Sequence, residues 1–154
     1  MTPKKLYATV AFGEVITWSL LILAMVLKYA AHQPQFVPMA GPIHGFIFLC
    51  FCIVTVIVWV NNRWTAGRGV LGLLSAVIPF ATVPFERKAD RDGLLDQSWR
   101  FRDGSSDVPA TFPERMLSFI VRKPATALIS LLILAVIVFV ILLAAGNPAE
   151  MLKK

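Results

Sequence analysis

The chain has 154 residues, of which 57% are hydrophobic and 16% charged, with a mean hydropathy of +0.71 and a formal net charge of +6. That is more apolar side chain than a soluble domain of this length can bury, and the 15 Lys and Arg and 9 Asp and Glu sit mostly in tails and loops, leaving long bare runs between them. The segregation argues against a water-soluble domain, and against a nucleic-acid partner, because there is no basic face with interleaved aromatics and no known nucleic-acid module.

After the basic tail Met1 to Lys5, the run Leu6 to Leu27 is apolar apart from Glu14 and a few hydroxyls, and it supplies the roughly 20 residues a spanning helix needs. Lys4 and Lys5 before it and Ala30-Ala31 after it are also what a signal peptide carries. Glu14 inside the run, Lys28-Tyr29 where a small residue is wanted, and the length favour an uncleaved first span. Pro34, Pro38 and Gly41 then turn the chain, so a second span, about Pro42 to Val60, runs antiparallel to the first. Trp59 and Trp64 at its end suit the headgroup belt. Cys50 and Cys52, two apart on a helix, point to different faces; they read as apolar packing residues, with no further ligands for a metal. A third span, about Gly69 to Phe85, carries Gly72, Ser75, Ala76, Pro79 and Pro84, which predicts close packing and a bend near its end.

Glu86 to Lys123 is the long polar segment, with eight basic residues against seven acidic ones. Gly104-Ser105-Ser106-Asp107 reads as flexible. Trp99-Arg100-Phe101-Arg102 alternates aromatic and cationic groups, as an extended piece resting on headgroups or on another protein would. Thr111 caps a helix with Pro113 and Glu114 in its first turn, and Met116, Leu117, Ile120 and Val121 share one face, the pattern of an interfacial helix or of a lid over the bundle. Trp99, Phe101, Met116 and Ile120 are therefore the candidate interfacial contacts. Pro124 opens a fourth span, Ala125 to Ala145, free of charge and closed by Gly146-Asn147-Pro148.

The predicted fold class is all-α, a transmembrane bundle of four spans with a short interfacial helix in the polar loop between spans three and four. It divides into a three-span core (1–87), the loop (88–123), and the fourth span with its basic tail (124–154). Four crossings put both termini on one side with Lys4, Lys5, Arg63, Arg68, Lys153 and Lys154, against Lys28 and the eight loop cations on the other. Weighting the short tails and turns over the nearly balanced loop gives a multi-pass plasma-membrane protein with both termini cytoplasmic.

Two polar sites follow. Glu14 lies about 12 Å into the first span at 1.5 Å per residue, where a bare carboxylate is costly. Ser75 and Thr55 come at similar depth, which makes Glu14 structural glue, with proton or ion handling and ligand contact as alternatives. At the opposite end, antiparallel pairing is expected to gather Lys28, Tyr29, His44, Glu86 and Arg87, a constellation suited to clamping an anionic lipid headgroup or to tying helix ends. Haem ligation by His44 lacks a second histidine within a span, and no Cys-x-x-Cys-His is present. No Ser or Cys has a His and a carboxylate at its depth, so no catalytic residue, cofactor or metal is expected.

Leu6 to Arg87 resembles a family of small bacterial integral membrane proteins, common in actinobacteria and known as a domain of unknown function with three spans. The likeness rests on Gly13-Glu14, Met25-Val26-Leu27-Lys28-Tyr29, Gly41-Pro42-Ile43-His44-Gly45, and Ser75-Ala76-Val77-Ile78-Pro79-Phe80 running to Phe85-Glu86-Arg87. It implies a fold and a membrane address, and no activity; the polar loop and fourth span depart from the family pattern. The expected function is that of a non-enzymatic accessory or scaffold subunit in a larger membrane complex, of respiratory or cell-envelope type, with membrane lipids and other integral membrane proteins as partners. The alternative is a small transporter or lipid-binding protein using Glu14 or the His44 cluster.

Overall fold

A computed structural model describes residues 1–102 and 107–145. Gly104, Ser105 and Ser106, the stop Gly146-Asn147-Pro148, and Lys153 and Lys154 lie outside the described residues.

The first helix, α1, is Pro3–Ala30, 28 residues long. Thr2 caps it, its hydroxyl accepting from the Lys5 N–H at 3.2 Å, and Pro3 occupies a first-turn position where a missing donor costs nothing. His32, at φ 53°, and a short 3-10 turn at Pro34–Phe36 reverse the chain into α2, Val37–Asn61. The helix begins ahead of the expected Pro42 and runs through it. Pro42 gives up one donor close to the N-terminus, where the ladder is least dependent on it. The early start carries His44 two turns inside the helix.

α1 and α2 pack closely because small residues line their seam. An added Cβ on Gly13 would stand 3.6 Å from Ile47, and Ala11 is fully buried. Tyr7 stacks on Phe51 with ring centroids 5.5 Å apart and meets Trp64 edge-on at 5.8 Å.

The third apolar stretch forms two helices, α3 (Ala66–Val77) and α4 (Thr82–Arg91). Pro79 forces the residue before it out of helical geometry, and Ile78 is extended at ψ 120°. Phe80 then takes a left-handed φ of 66°, and the chain doubles back. α3 starts beside the end of α2, where Gly69 abuts Trp59, and climbs until its Ala76 carbonyl meets Trp18 of α1. α4 returns along α1: the Thr82 hydroxyl donates to the Ala11 carbonyl at 3.0 Å, and Asp90 pairs with Lys4 at 2.7 Å. Arg68 and Asp92 bring the two ends of the hairpin within 4.0 Å. This stretch therefore enters the bundle from the Met1 end and leaves at the same end. Twelve residues of α3 reach only about 18 Å against a hydrocarbon thickness of about 30 Å, and α4, with Glu86, Arg87, Lys88, Asp90 and Arg91, is too polar to complete a crossing.

The polar loop consequently packs at the Met1 end. Trp99 Nε1 donates to the Met1 carbonyl at 2.9 Å, and the Asn61 side chain accepts from the Arg100 N–H at 3.0 Å. Trp99 to Arg102 is a turn closed by the Arg102 N–H on the Trp99 carbonyl at 3.3 Å, not the extended piece expected. Phe101 is fully buried, with Ile57 and Leu117 in the same cluster, rather than spread on headgroups.

α5, Phe112–Arg122, opens at the expected Thr111 cap, and the cap is a capping box, Glu114 Oε2 accepting the N–H groups of Ala110 and Thr111 at 3.0 and 3.2 Å. It meets α6, Pro124–Ala145, at a bend of 113°, so α5 lies across the direction in which α6 runs. Phe139 of α6 meets Phe46 of α2 edge-on at 6.3 Å, near Gly45, which fixes α6 as parallel to α1. Met1 and Ala145 therefore stand at opposite ends of the bundle. The expected placement of the two termini rested on a full crossing by the third stretch, and α4 instead returns along α1 toward Met1.

The all-α transmembrane bundle anticipated from composition is what forms. α1 and α2 are each long and apolar enough to cross a membrane, and the bent pair of α5 and α6 supplies a third such span.

Candidate functional site

Tyr7, Ala11, Glu14 and Thr17 recur at helical spacing and form the buried stripe of α1. Glu14 is 0% exposed at the middle of the helix, and neither of its carboxyl oxygens has a hydrogen-bond partner of good geometry. Its Oε2 lies 3.4 Å from Nδ1 of His44, itself 9% exposed, which α2 delivers to the same depth. Thr17 Oγ1 is 3.1 Å from that same Nδ1 and also donates to the Glu14 carbonyl at 3.2 Å. Trp18 covers the imidazole with ring centroids 4.4 Å apart, and its Nε1 donates to the Ala76 carbonyl at 3.2 Å, at the inner end of α3. A carboxyl, an imidazole and a hydroxyl are thus enclosed together between α1 and α2, the two helices long and apolar enough to cross a membrane, and an indole ties them to the tip of the α3–α4 hairpin.

The partners expected for Glu14 are engaged elsewhere. Ser75 donates to the Gly72 carbonyl at 2.6 Å and Thr55 to the Phe51 carbonyl at 2.8 Å. The five-residue constellation also comes apart. Lys28 and Tyr29 are exposed at the far end, where the ammonium sits 5.1 Å from the phenol ring centroid; His44 is in mid-membrane; Glu86 and exposed Arg87 lie on α4 at the Met1 end. The cause is again the hairpin, which carries the end of the third stretch back to where it began.

Thr17 and Trp18 were not singled out by the sequence. Their signal was the spacing of Thr17 three residues beyond Glu14 on the same face, which becomes informative only once His44 is known to lie opposite.

A second polar assembly secures the loop. Arg100 reaches Glu114 Oε1 at 2.9 Å, Asp107 Oδ2 at 3.4 Å and the Val60 carbonyl at 3.1 Å, with its guanidinium 4.8 Å from the Phe101 ring centroid. The Arg100 guanidinium, then the Ala110 and Thr111 N–H groups, hold the Glu114 carboxyl well below the usual range, at about 2. Met116 is exposed and Ile120 half-buried on the underside of α5, where together with Ile53, Val77 and Leu134 they line an apolar groove of about 780 Å³ between α2, α3, α5 and α6. Among the described residues no three His, Cys, Asp or Glu side chains are grouped to hold a metal ion.

A family model described as a domain of unknown function, DUF3817, matches residues 4–91, from the first turn of α1 to the last residue of α4. The chain is 37% identical over 93 residues to SCO5905 of Streptomyces coelicolor, whose name goes no further than a provisional description as a membrane protein. That match covers 59% of this chain and 11% of the relative. It is 31% identical over 87 residues to YdzA of Bacillus subtilis, an uncharacterized membrane protein, covering 56% of this chain and 91% of the relative. This chain thus spans nearly all of one relative and about a tenth of the other. No solved structure matches it significantly.

Proposed function

Because the chain belongs to the DUF3817 family of unknown function, with α1, α2 and the α3–α4 hairpin as the family unit and α5 and α6 added to it, we propose that it is a non-enzymatic membrane protein acting by association. It is an accessory or scaffold subunit of a larger membrane assembly, of respiratory or cell-envelope type. The observation that carries the reading is the standing of α6. It touches the bundle near Gly45 and Phe46, presents Ile129, Leu132, Ile133, Ile137, Val140 and Ile141 outward, and leaves the groove beneath α5 open at its side. A spanning helix of a partner meets both walls there, and packing rather than water expulsion is what joins helices in lipid. The occurrence of the family segment inside a far longer relative, SCO5905, supports a module that works within larger membrane proteins. Purification in several mild detergents tests this. Co-eluting integral membrane proteins that are lost on Val77→Trp, which fills the groove, are the expected result; an unaccompanied monomer in every detergent overturns the proposal.

The distribution of cations supports a reading of the membrane side. Among the described residues Lys4, Lys5, Arg63, Arg68, Arg87, Lys88, Arg91, Arg100, Arg102, Arg115, Arg122 and Lys123 lie at the Met1 end, and Lys28 is the cation at the other. On the positive-inside rule we infer that the N-terminus lies in the cytoplasm of a plasma-membrane protein and the end of α6 outside. A second reading, a small transporter, is favoured at one point: Glu14 and His44 meet inside the membrane. It requires that Glu14→Gln abolish a measurable flux while insertion is kept.

A further inference from the structure

We propose that Glu14, Thr17 and His44 form a one-proton binding site at the middle of the bilayer, reached from the Met1 side, whose occupancy the re-entrant hairpin senses through Trp18. The proposal deepens the transport reading in using the same residues, but it concerns proton binding and stands whether or not a flux exists.

Consider first how many protons the cluster holds. An ionised Glu14 opposite a neutral His44 leaves one uncompensated negative charge among apolar side chains, and a doubly loaded pair leaves one positive charge. Either is expensive in hydrocarbon. One proton shared by the two groups keeps the cluster neutral. At rest it resides on Glu14 Oε2 as a carboxylic acid facing His44 Nδ1, the form without separated charges among apolar side chains, and the imidazolium–carboxylate pair is the minor arrangement. Passing between them breaks one O–H bond and forms one N–H bond across the 3.4 Å gap. Thr17 donates its hydroxyl to the Glu14 carbonyl and so leaves its oxygen 3.1 Å from Nδ1, where it shares the N–H with the carboxylate in the imidazolium arrangement. Both carboxyl oxygens are buried, and the polar side-chain atom facing Oε2 is Nδ1 of His44 at 3.4 Å, close enough for a small movement to close the hydrogen bond that a proton on Oε2 would make.

Access is one-sided. From Leu20 to Leu27, α1 carries no polar side chain, so along this helix no polar group leads from the site toward Lys28. Toward Met1 the same stripe of α1 carries Tyr7, with Thr55 of α2 fully buried and Glu86 of α4 largely so. The other titratable groups on the elements packed here are Tyr7 on α1, Cys52 on α2 and Glu86 on α4; α3 contributes the uncharged Ser75. The hairpin ends where this path ends. The carbonyl end of α3 is tethered by Trp18, and the N-terminus of α4 begins at Thr82, bonded to Ala11 one turn from Glu14. Interrupted helices that stop at mid-membrane beside a charged group are how bilayer proteins build ion sites. A change of charge at His44 acts on the indole face above it, and hence on the bond from Trp18 to Ala76.

The test is infrared spectroscopy of the protein in lipid nanodiscs. At neutral pH we expect a carboxylic acid C=O band that disappears in Glu14→Gln and survives in Asp90→Asn. In His44→Gln the band should persist at higher frequency, its hydrogen bond to Nδ1 having been lost. The expected result on the hairpin is faster amide exchange at Val77 to Ala81 in Glu14→Gln and Trp18→Phe than in wild type. A spectrum without a protonated carboxyl, or a band indifferent to Glu14→Gln, overturns the proposal. Should Glu14→Gln fail to insert, the His44→Gln shift decides alone, and an unshifted band overturns it. A protein that shows the band but transports nothing retains the site and loses the transport reading.

Discussion

Gly69 and Gly67 sit two residues apart in the first turns of α3, and the same substitution at each is expected to have opposite signs. A Cβ on Gly69 would fall 2.0 Å from Cδ2 of Trp59 and 2.2 Å from Cε3, far inside contact distance, whereas a Cβ on Gly67 meets nothing within 4 Å. Accommodating Gly69→Ala means moving the Trp59 ring by well over an ångström, which also breaks the 2.9 Å bond from its Nε1 to the Trp64 carbonyl. Overpacking of this kind costs roughly 1–3 kcal/mol and the lost hydrogen bond about 1 kcal/mol. The helix-propensity gain of Ala over Gly returns roughly 0.5–1 kcal/mol, so the net expectation is a loss of about 1–3.5 kcal/mol. Gly67→Ala keeps only the gain. Unfolding in mixed micelles of rising SDS fraction, followed by loss of helical circular dichroism, measures both. If Gly69→Ala is as stable as Gly67→Ala, α3 does not press against Trp59 and the hairpin is not seated as described.

Single cysteines in a background lacking Cys50 and Cys52 report the topology: Arg87→Cys should react with a membrane-impermeant thiol reagent from the same side as Gln97→Cys and the opposite side from Gln35→Cys. Labelling of Arg87→Cys from the Gln35 side would restore a full third crossing. Thr82→Val removes the buried donor to the Ala11 carbonyl and should cost about 1 kcal/mol, measured in the same micelle assay, with no loss of insertion. Glu114 is held below its ordinary carboxylate value, so the stability it lends to α5 is present in full above about 4.5 and is lost as pH falls toward about 2. Acid should therefore release α5 first, seen as faster labelling of Leu117→Cys over that range, and Glu114→Gln should remove the pH dependence.

Long uncharged runs made α1, α2 and α6 legible, and a capping residue followed three positions later by Glu made α5 legible as well. Pro79 and Pro84 announced that the third stretch would bend. Hydropathy carries no information on whether a bent segment goes on or comes back, because the answer lies in the left-handed Phe80 and in the bonds that α4 makes to α1. That one ambiguity scattered Lys28, Tyr29, Glu86 and Arg87, which had been placed together on the assumption of a crossing. His44 was misplaced for a different reason: Gly41-Pro42 looks like a helix start, yet α2 begins at Val37 and the imidazole is carried down to Glu14. Glu14 itself stood out as a lone carboxylate in an apolar run, and only its partner was hidden.

A unit that departs on the face by which it arrived has a further property: it can be spliced into a longer membrane polypeptide without inverting anything downstream. α1, α2 and the hairpin together make such a neutral cassette, which accords with a relative that is little more than this segment and another in which it is a small fraction of the length. α6 lacks that neutrality, since it runs parallel to α1 and its last described residue, Ala145, stands at the end of the bundle away from Met1.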